Sequence, residues 1–366
     1  MTVLETMQLC PEEILNLSSS TIQNLPTILD VIEYFSTLEN INMRQTISIN
    51  TDWLLMNEEG MYQYVSDSDN HSIARLMPLS QTPFIFFRGE NSYHQKCTSS
   101  IFRSRADMPL ADKWIINRVQ TAEFLLAYNQ HPVIRDIKNL CKVEDLGIAQ
   151  HYGFATEYLD ITNNKWVAAF FACCRYENDF YYPIETGYGQ GFGVIYVSQS
   201  FLLPMAFAKL EKKMFPLGFQ YFARPTKQFS WVYKMSQEEN FDKDSNFSRI
   251  LFRHDTKASK EVFEMSYQQK RFFPNDQLSM LAQQIRQKGY PLCEGAITLS
   301  QTLGVKKSKQ EIQEVLHKYG FPVTSSLNPV ACFDQKQIET DVEQWLTYGK
   351  YALQRRIKPI IPVCSL

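Results

Sequence analysis

The sequence has no surplus of charge of one sign, no CxxC pair, no repeat and no long apolar run, and each absence excludes a class of protein. With 37 Lys and Arg against 39 Asp and Glu, the formal charge is -2. No positive field therefore draws the chain to a phosphate backbone, and an obligatory nucleic-acid partner is not expected. The eight cysteines (Cys10, Cys97, Cys141, Cys173, Cys174, Cys293, Cys332 and Cys364) show no CxxC pair and no regular spacing. A zinc ribbon or a secreted disulfide framework would show both, so reduced, partly buried thiols and no metal are expected. No stretch approaches the roughly 18 apolar residues of a membrane span. The start, MTVLETMQLCPEEIL, lacks a basic region leading into an apolar one, so the reading is a cytoplasmic protein with no membrane partner.

What is present is the composition of a folded globular chain. At 366 residues it has room for roughly two domains of about 150 residues. Its 44% hydrophobic content, with 21% charged residues, rules out disorder. In LPTILDVIEYFSTLEN, Ile28, Val31, Ile32, Phe35 and Leu38 recur at helical spacing. The polar stretch Asn57 to His71 reads as a surface excursion, and FIFFRGE as a short strand. One or two helices are expected between Ala111 and Leu140. Another begins near Asn164, and its sequence NKWVAAFFACC is apolar on nearly every face, which places it inside the fold. FGVIYVSQ, QFSWVYKM and RILFRH have the length and the Val, Ile, Tyr and Phe content of strands. A helix over KASKEVFEMSYQQ and one capped by Asn275 or Asp276 follow, then a capping box of Ser308 with Glu311 and a last helix around IETDVEQWLTYGKYAL. The expected fold class is α+β, a small, mostly antiparallel sheet wrapped by helices. It divides into an N-terminal segment (1–75), a core (76–288) and a mainly helical C-terminal extension (289–366).

Chemistry concentrates in two places. AQHYGFATEYLDITNNKWVAAFFAC, Ala149 to Cys173, sets His151, Thr156, Glu157, Asp160 and Thr162 directly ahead of the buried helix. Thr162 or Asp160 is placed to cap that helix, whose first N–H groups would attract an anion. The same residues also fit a satisfied cap, a core histidine and an Asp that holds a turn. In FFRGE, Arg88 at a strand end suits bidentate recognition of phosphate or carboxylate, and Gly89 permits close backbone approach. Arg88 equally suits a structural ion pair with Glu157, Asp160 or Glu90. The glycines Gly187, Gly189, Gly191 and Gly193 precede a strand instead of following one, so they read as a mobile hairpin loop and not as a dinucleotide fingerprint. Cys97 near His94 lacks an oriented third group and reads as structural.

Together these motifs resemble the FRG domain, a widespread bacterial domain named for its Phe-Arg-Gly motif. Phe87, Arg88 and Gly89 stand at the name-giving positions, and Phe102 and Arg103 at a downstream Phe-Arg. Gln150, His151, Tyr152 and Gly153 match the Gln-His-Tyr-Gly signature. Thr156, Leu159, Asp160 and Thr162 match the Thr and Leu-Asp-x-Thr that follow, and Phe170, Phe171 and Ala172 the helix ending in Phe-Phe-Ala. Gln228, Phe229 and Phe273 to Asp276 are looser matches, giving coverage of about 28–288. Ala155 and Glu157 stand where many members carry Pro and Arg, which removes a basic group and favours a Glu157 to Arg88 pairing.

The layout of the family is similar to ADP-ribosyltransferase-like folds. That likeness implies NAD or ADP-ribose as ligand, an NAD-dependent ADP-ribosyltransferase or NAD glycohydrolase activity, a protein acceptor, and a toxin-like or anti-phage role. It implies Arg88, Gly89, Gln150, His151, Tyr152, Thr156, Asp160 and Thr162 as ligand-binding residues, with Glu264 and Glu157 as candidates for the catalytic carboxylate. The competing expectation is a non-enzymatic interaction or structural module in which these residues brace the fold. The two differ in whether Arg88, His151 and Thr156 line one open pocket.

Overall fold

The computed structural model describes residues 1–47, 62–67, 70–78, 85–103, 107–178, 180–198, 213–217, 219–351, 353 and 357–358. At its centre are six strands: β1 (Phe87–Glu90), β2 (Tyr158–Thr162), β3 (Phe192–Ser198), β4 (Met214–Pro216), β5 (Ser230–Lys234) and β6 (Phe247–Arg253). They form one sheet in the order β6-β3-β1-β2-β5-β4, with every neighbouring pair antiparallel. Helices surround it, so the α+β class holds.

The period-2 alternation of the strands sorts side chains to two faces. Phe87, Ile195, Val197, Ile250 and Phe252 face helices α1 (Ile28–Ile47), α4 (Lys165–Cys173) and α5 (Thr256–Met265). Phe86, Leu159, Ile161, Val194, Tyr196, Leu251 and Trp231 face the other way, where Tyr93, Phe241, Ile14 and Leu25 cover them. Helix α4 is buried on nearly all sides, as its uninterrupted apolar sequence requires. It sits so close to β1 that a Cβ on Gly89 would lie 1.9 Å from the Ala168 carbonyl oxygen. Gly89 thus serves close approach to a helix.

A second core forms around α2 (Leu110–Gln130), joined by α3 (Asp145–His151), α6 (Gln277–Arg286), α7 (Glu294–Thr302) and α8 (Lys309–Lys318). Phe124 and Leu125 of α2 share this cluster with Ala296, Ile297, Ile312 and Leu316, so residues beyond 289 pack on the same helix as those before it. The capping box of Ser308 and Glu311 and the cap of Asp276 on α6 are both present.

Part of the Asn57–His71 stretch lies outside the described residues. What is described of it belongs to an antiparallel strand pair, Tyr62–Asp67 with Asn70–Pro78. The loop ahead of β3 carries Gly187, Gly189 and Gly191 at φ 83°, 58° and 81°. It is tied down by a bond from the Tyr93 N–H to Gln190 and by one from the His254 N–H to the Gly191 carbonyl.

Candidate functional site

The two central strands barely pair. Only Phe87 and Thr162 are in register between β1 and β2; beyond them the strands part. A cavity of about 220 Å³ opens in this split. It is lined by Arg88, Gly89, Glu90 and Asn91 from the strand and loop on one side, by Asp160, Ile161 and Thr162 on the other, and by Val167, Ala168 and Phe171 of α4. His151 and Gln228 complete the wall, and His94 and Arg103, both exposed, stand at its mouth.

Arg88 replaces the missing ladder. Its Nη1 donates to the Asp160 carbonyl at 2.9 Å, a backbone acceptor that the parted strand leaves open. Its Nε and Nη2 both donate to Glu90 Oε1, at 2.9 and 2.5 Å. Both partners of this ion pair are nearly buried, at 12% and 8% exposure. Burial acts to raise the Glu90 carboxyl, but the guanidiniums of Arg88 and Arg103 outweigh it and hold the group below the ordinary carboxylate value. Glu90 Oε2 is buried and accepts no hydrogen bond. These contacts use three of the five N–H donors of Arg88, leaving one on each Nη.

The partner of Arg88 is therefore Glu90, not Glu157. Glu157 pairs with Arg118 Nη2 at 2.7 Å, away from the cavity lining. Glu264 is exposed on α5, bonded at 3.5 Å to Gln268, and does not line the cavity either. The carboxylates that the fold brings to the cavity are Glu90 and Asp160.

His151 closes helix α3, and its Nδ1 lies 2.7 Å from Gln228 Oε1. Its Nε2 faces Asp160 Oδ1 at 3.5 Å, without hydrogen-bond geometry; both atoms are buried and unsatisfied. Thr162 also lines the cavity, but its hydroxyl donates to the Gln228 carbonyl at 2.9 Å and accepts from Asn164 N–H. The cap of α4 is Asn164, whose Oδ1 accepts from Trp166 and Val167 N–H, so neither Thr162 nor Asp160 caps it. That side chain occupies two of the N–H groups expected to attract an anion.

Gln150, Tyr152 and Thr156 serve as supports behind the wall. Thr156 is fully buried and donates to Gln150 Oε1 at 2.8 Å, and Gln150 Nε2 lies 3.5 Å from Asp160 Oδ2. The Tyr152 hydroxyl donates to Asp276 at 2.8 Å beneath the Arg224 guanidinium, and burial pushes it well above the ordinary phenol value. Cys97 donates to Glu90 Oε1 at 3.4 Å, and burial drives its thiol up to about 12, which makes it inert as a nucleophile. Glu90, Asn91, His94, Arg103 and Gln228 were not anticipated as site residues. For Glu90 and Arg103 the available signal was their place in FFRGE and SSIFRSR.

Residues 84–180 match the family model of the FRG domain, a stretch that holds every cavity-lining residue named above except Gln228. No curated protein and no solved structure gives a significant match to the chain. Among the described residues, no helix is long and apolar enough to cross a membrane.

Proposed function

From the FRG domain that the chain carries over residues 84–180, we propose that the split between β1 and β2 binds the ribose–phosphate portion of a nucleotide, with NAD or ADP-ribose as the ligand. The observation that carries this reading is a set of polar atoms in one cavity that the protein does not satisfy itself. Arg88 retains a donor on each Nη, while His151 Nε2 and Asp160 Oδ1, 3.5 Å apart, have no hydrogen-bond partner. Unsatisfied buried polar atoms are costly unless something completes them.

Charge narrows the ligand. Glu90 neutralises Arg88, and Asp160 offsets the exposed Arg103, so the cavity carries no strong net charge. That suits sugar hydroxyls inside and a phosphate at the mouth, against Arg103 and His94, better than a pyrophosphate gripped at depth. At about 220 Å³ the cavity is smaller than the usual range for a drug-sized ligand. The adenylate half of NAD would therefore lie outside it. With Glu90 paired to Arg88, Asp160 is the cavity carboxylate that this reading assigns to stabilising positive charge at a glycosidic carbon, and the reaction it assigns is release of nicotinamide from NAD, by hydrolysis or by transfer to a protein acceptor.

The test is calorimetric titration of the full chain with NAD, ADP-ribose and ATP, repeated with Arg103→Ala, a rim substitution outside the core. Binding of NAD or ADP-ribose that weakens about tenfold in the variant supports the site. Absence of heat and of any thermal shift with all three overturns it. That outcome favours the second reading, a structural or interaction module, for which the specific observation is that Tyr152 and Thr156 are buried and that they and the half-buried Gln150 are bonded to protein groups.

A further inference from the structure

We infer that Gln228 is a positioning residue that fixes the tautomer of His151, and that His151 Nε2 and Asp160 Oδ1 form an acceptor pair for the vicinal diol of a ribose. This deepens the nucleotide reading above and rests on it for the identity of the ligand.

The argument begins with the amide. Gln228 is 3% exposed, and its Nε2 donates to the Phe272 carbonyl at 3.1 Å, so its orientation is set and Oε1 is the atom that meets His151. A carbonyl oxygen only accepts, so His151 Nδ1, 2.7 Å away, carries the proton. Nε2 of the neutral ring is then a bare lone pair. It faces a second acceptor, Asp160 Oδ1, at 3.5 Å, and neither finds a donor in the protein. Both residues line the cavity. The backbone that presents Gln228 is itself constrained: its carbonyl accepts from Thr162, and the next residue, Phe229, is held at φ 51°. Strain of this kind persists where surrounding structure over-determines it.

Two acceptors side by side call for two donors side by side. A single hydroxyl has one proton and satisfies one of them; a vicinal diol supplies an O–H to each. The adjacent Arg88 donors accept no proton and suit the ring oxygen or a neighbouring phosphate oxygen.

The experiment uses the full chain, ¹⁵N-labelled at histidine, with His151 assigned through His151→Gln. At about pH 8, above the ordinary imidazole range, the ligand-free protein should show His151 protonated on Nδ1 and bare on Nε2. Gln228→Leu should lose that preference, and Gln228→Glu, which keeps an acceptor, should restore it; a structural role alone would leave the tautomer unmoved. Ribose 5-phosphate should bind about tenfold more tightly than 2-deoxyribose 5-phosphate, and Asp160→Asn, whose amide can donate to Nε2 internally, should erase the difference. A proton on Nε2 in the free protein overturns the proposal. Binding of NAD or ADP-ribose with no preference for ribose over 2-deoxyribose overturns the diol assignment alone, leaving the nucleotide reading intact. No binding by any of them overturns the diol assignment together with that reading.

Discussion

Arg88 shows how one side chain can look like a ligand-binding group and act first as a structural one. It closes the gap between β1 and β2 through the Asp160 carbonyl and neutralises the buried Glu90. Arg88→Ala would leave that carboxylate buried and unpaired, which costs about 3–5 kcal/mol. We therefore expect a clear loss of stability in urea unfolding, partly recovered in the double variant with Glu90→Gln. Arg88→Ala is for this reason a poor probe of ligand binding, although the sequence alone makes it the obvious one. At Gly89 a methyl group would meet the Ala168 carbonyl oxygen at 1.9 Å, so Gly89→Ala should displace α4 or prevent folding, read by near-ultraviolet circular dichroism. The motif residues were legible because they are close in sequence and of distinctive types. The Gln228 amide against His151 was not, because the two residues lie 77 apart in sequence and meet only through the tertiary fold.

At the scale of elements, composition and period located helices and strands well, and local chemistry located some of their ends. Ser308 caps as expected, and of the two candidates Asn275 and Asp276 it is Asp276 that caps α6. Ahead of α4 the run Thr162, Asn163, Asn164 offers several cap-type side chains, and propensity cannot rank them. Tertiary structure decides: the Thr162 hydroxyl is taken by the Gln228 carbonyl, which leaves the Asn164 side chain to receive Trp166 and Val167 N–H. Asn164→Ala should cost about 1 kcal/mol in chemical unfolding, with Asn164→Asp close to neutral because it preserves the acceptor at the positive end of the helix. Asn163→Ala, by contrast, should not reproduce that loss.

For the whole molecule, the core around α2 joins the FRG stretch to the C-terminal helices, and this union is not visible in any local pattern. Glu123 of α2 accepts from the Tyr290 hydroxyl and from Cys293 N–H, and burial raises its carboxyl. A chain ending at residue 288 would strip these partners from a buried carboxylate and remove Ala296, Ile297, Ile312 and Leu316 from the core around α2, so it should lose cooperative melting and aggregate. The same packing makes stability depend on pH. His131 is fully buried, its Nε2 3.2 Å from Asp341 on the helix Gln335–Gln344, among the rings of Tyr221, Phe222 and Phe333. Burial lowers its pKa, with Asp341 opposing only in part. His254, bonded through Nε2 to the Asn91 carbonyl, is lowered by burial as well. In the unfolded chain both should titrate near the ordinary value of about 6.5. Below that value the unfolded state binds protons that the folded state refuses, so stability falls with falling pH until the lowered folded values are reached. The slope in that window is at most about 1.4 kcal/mol per pH unit for each histidine. Unfolding free energies measured from pH 7 downward should decline steeply in the native chain and less steeply in the double variant His131→Gln, His254→Gln. Equal slopes would mean that these two buried rings are not what the fold loses on acidification.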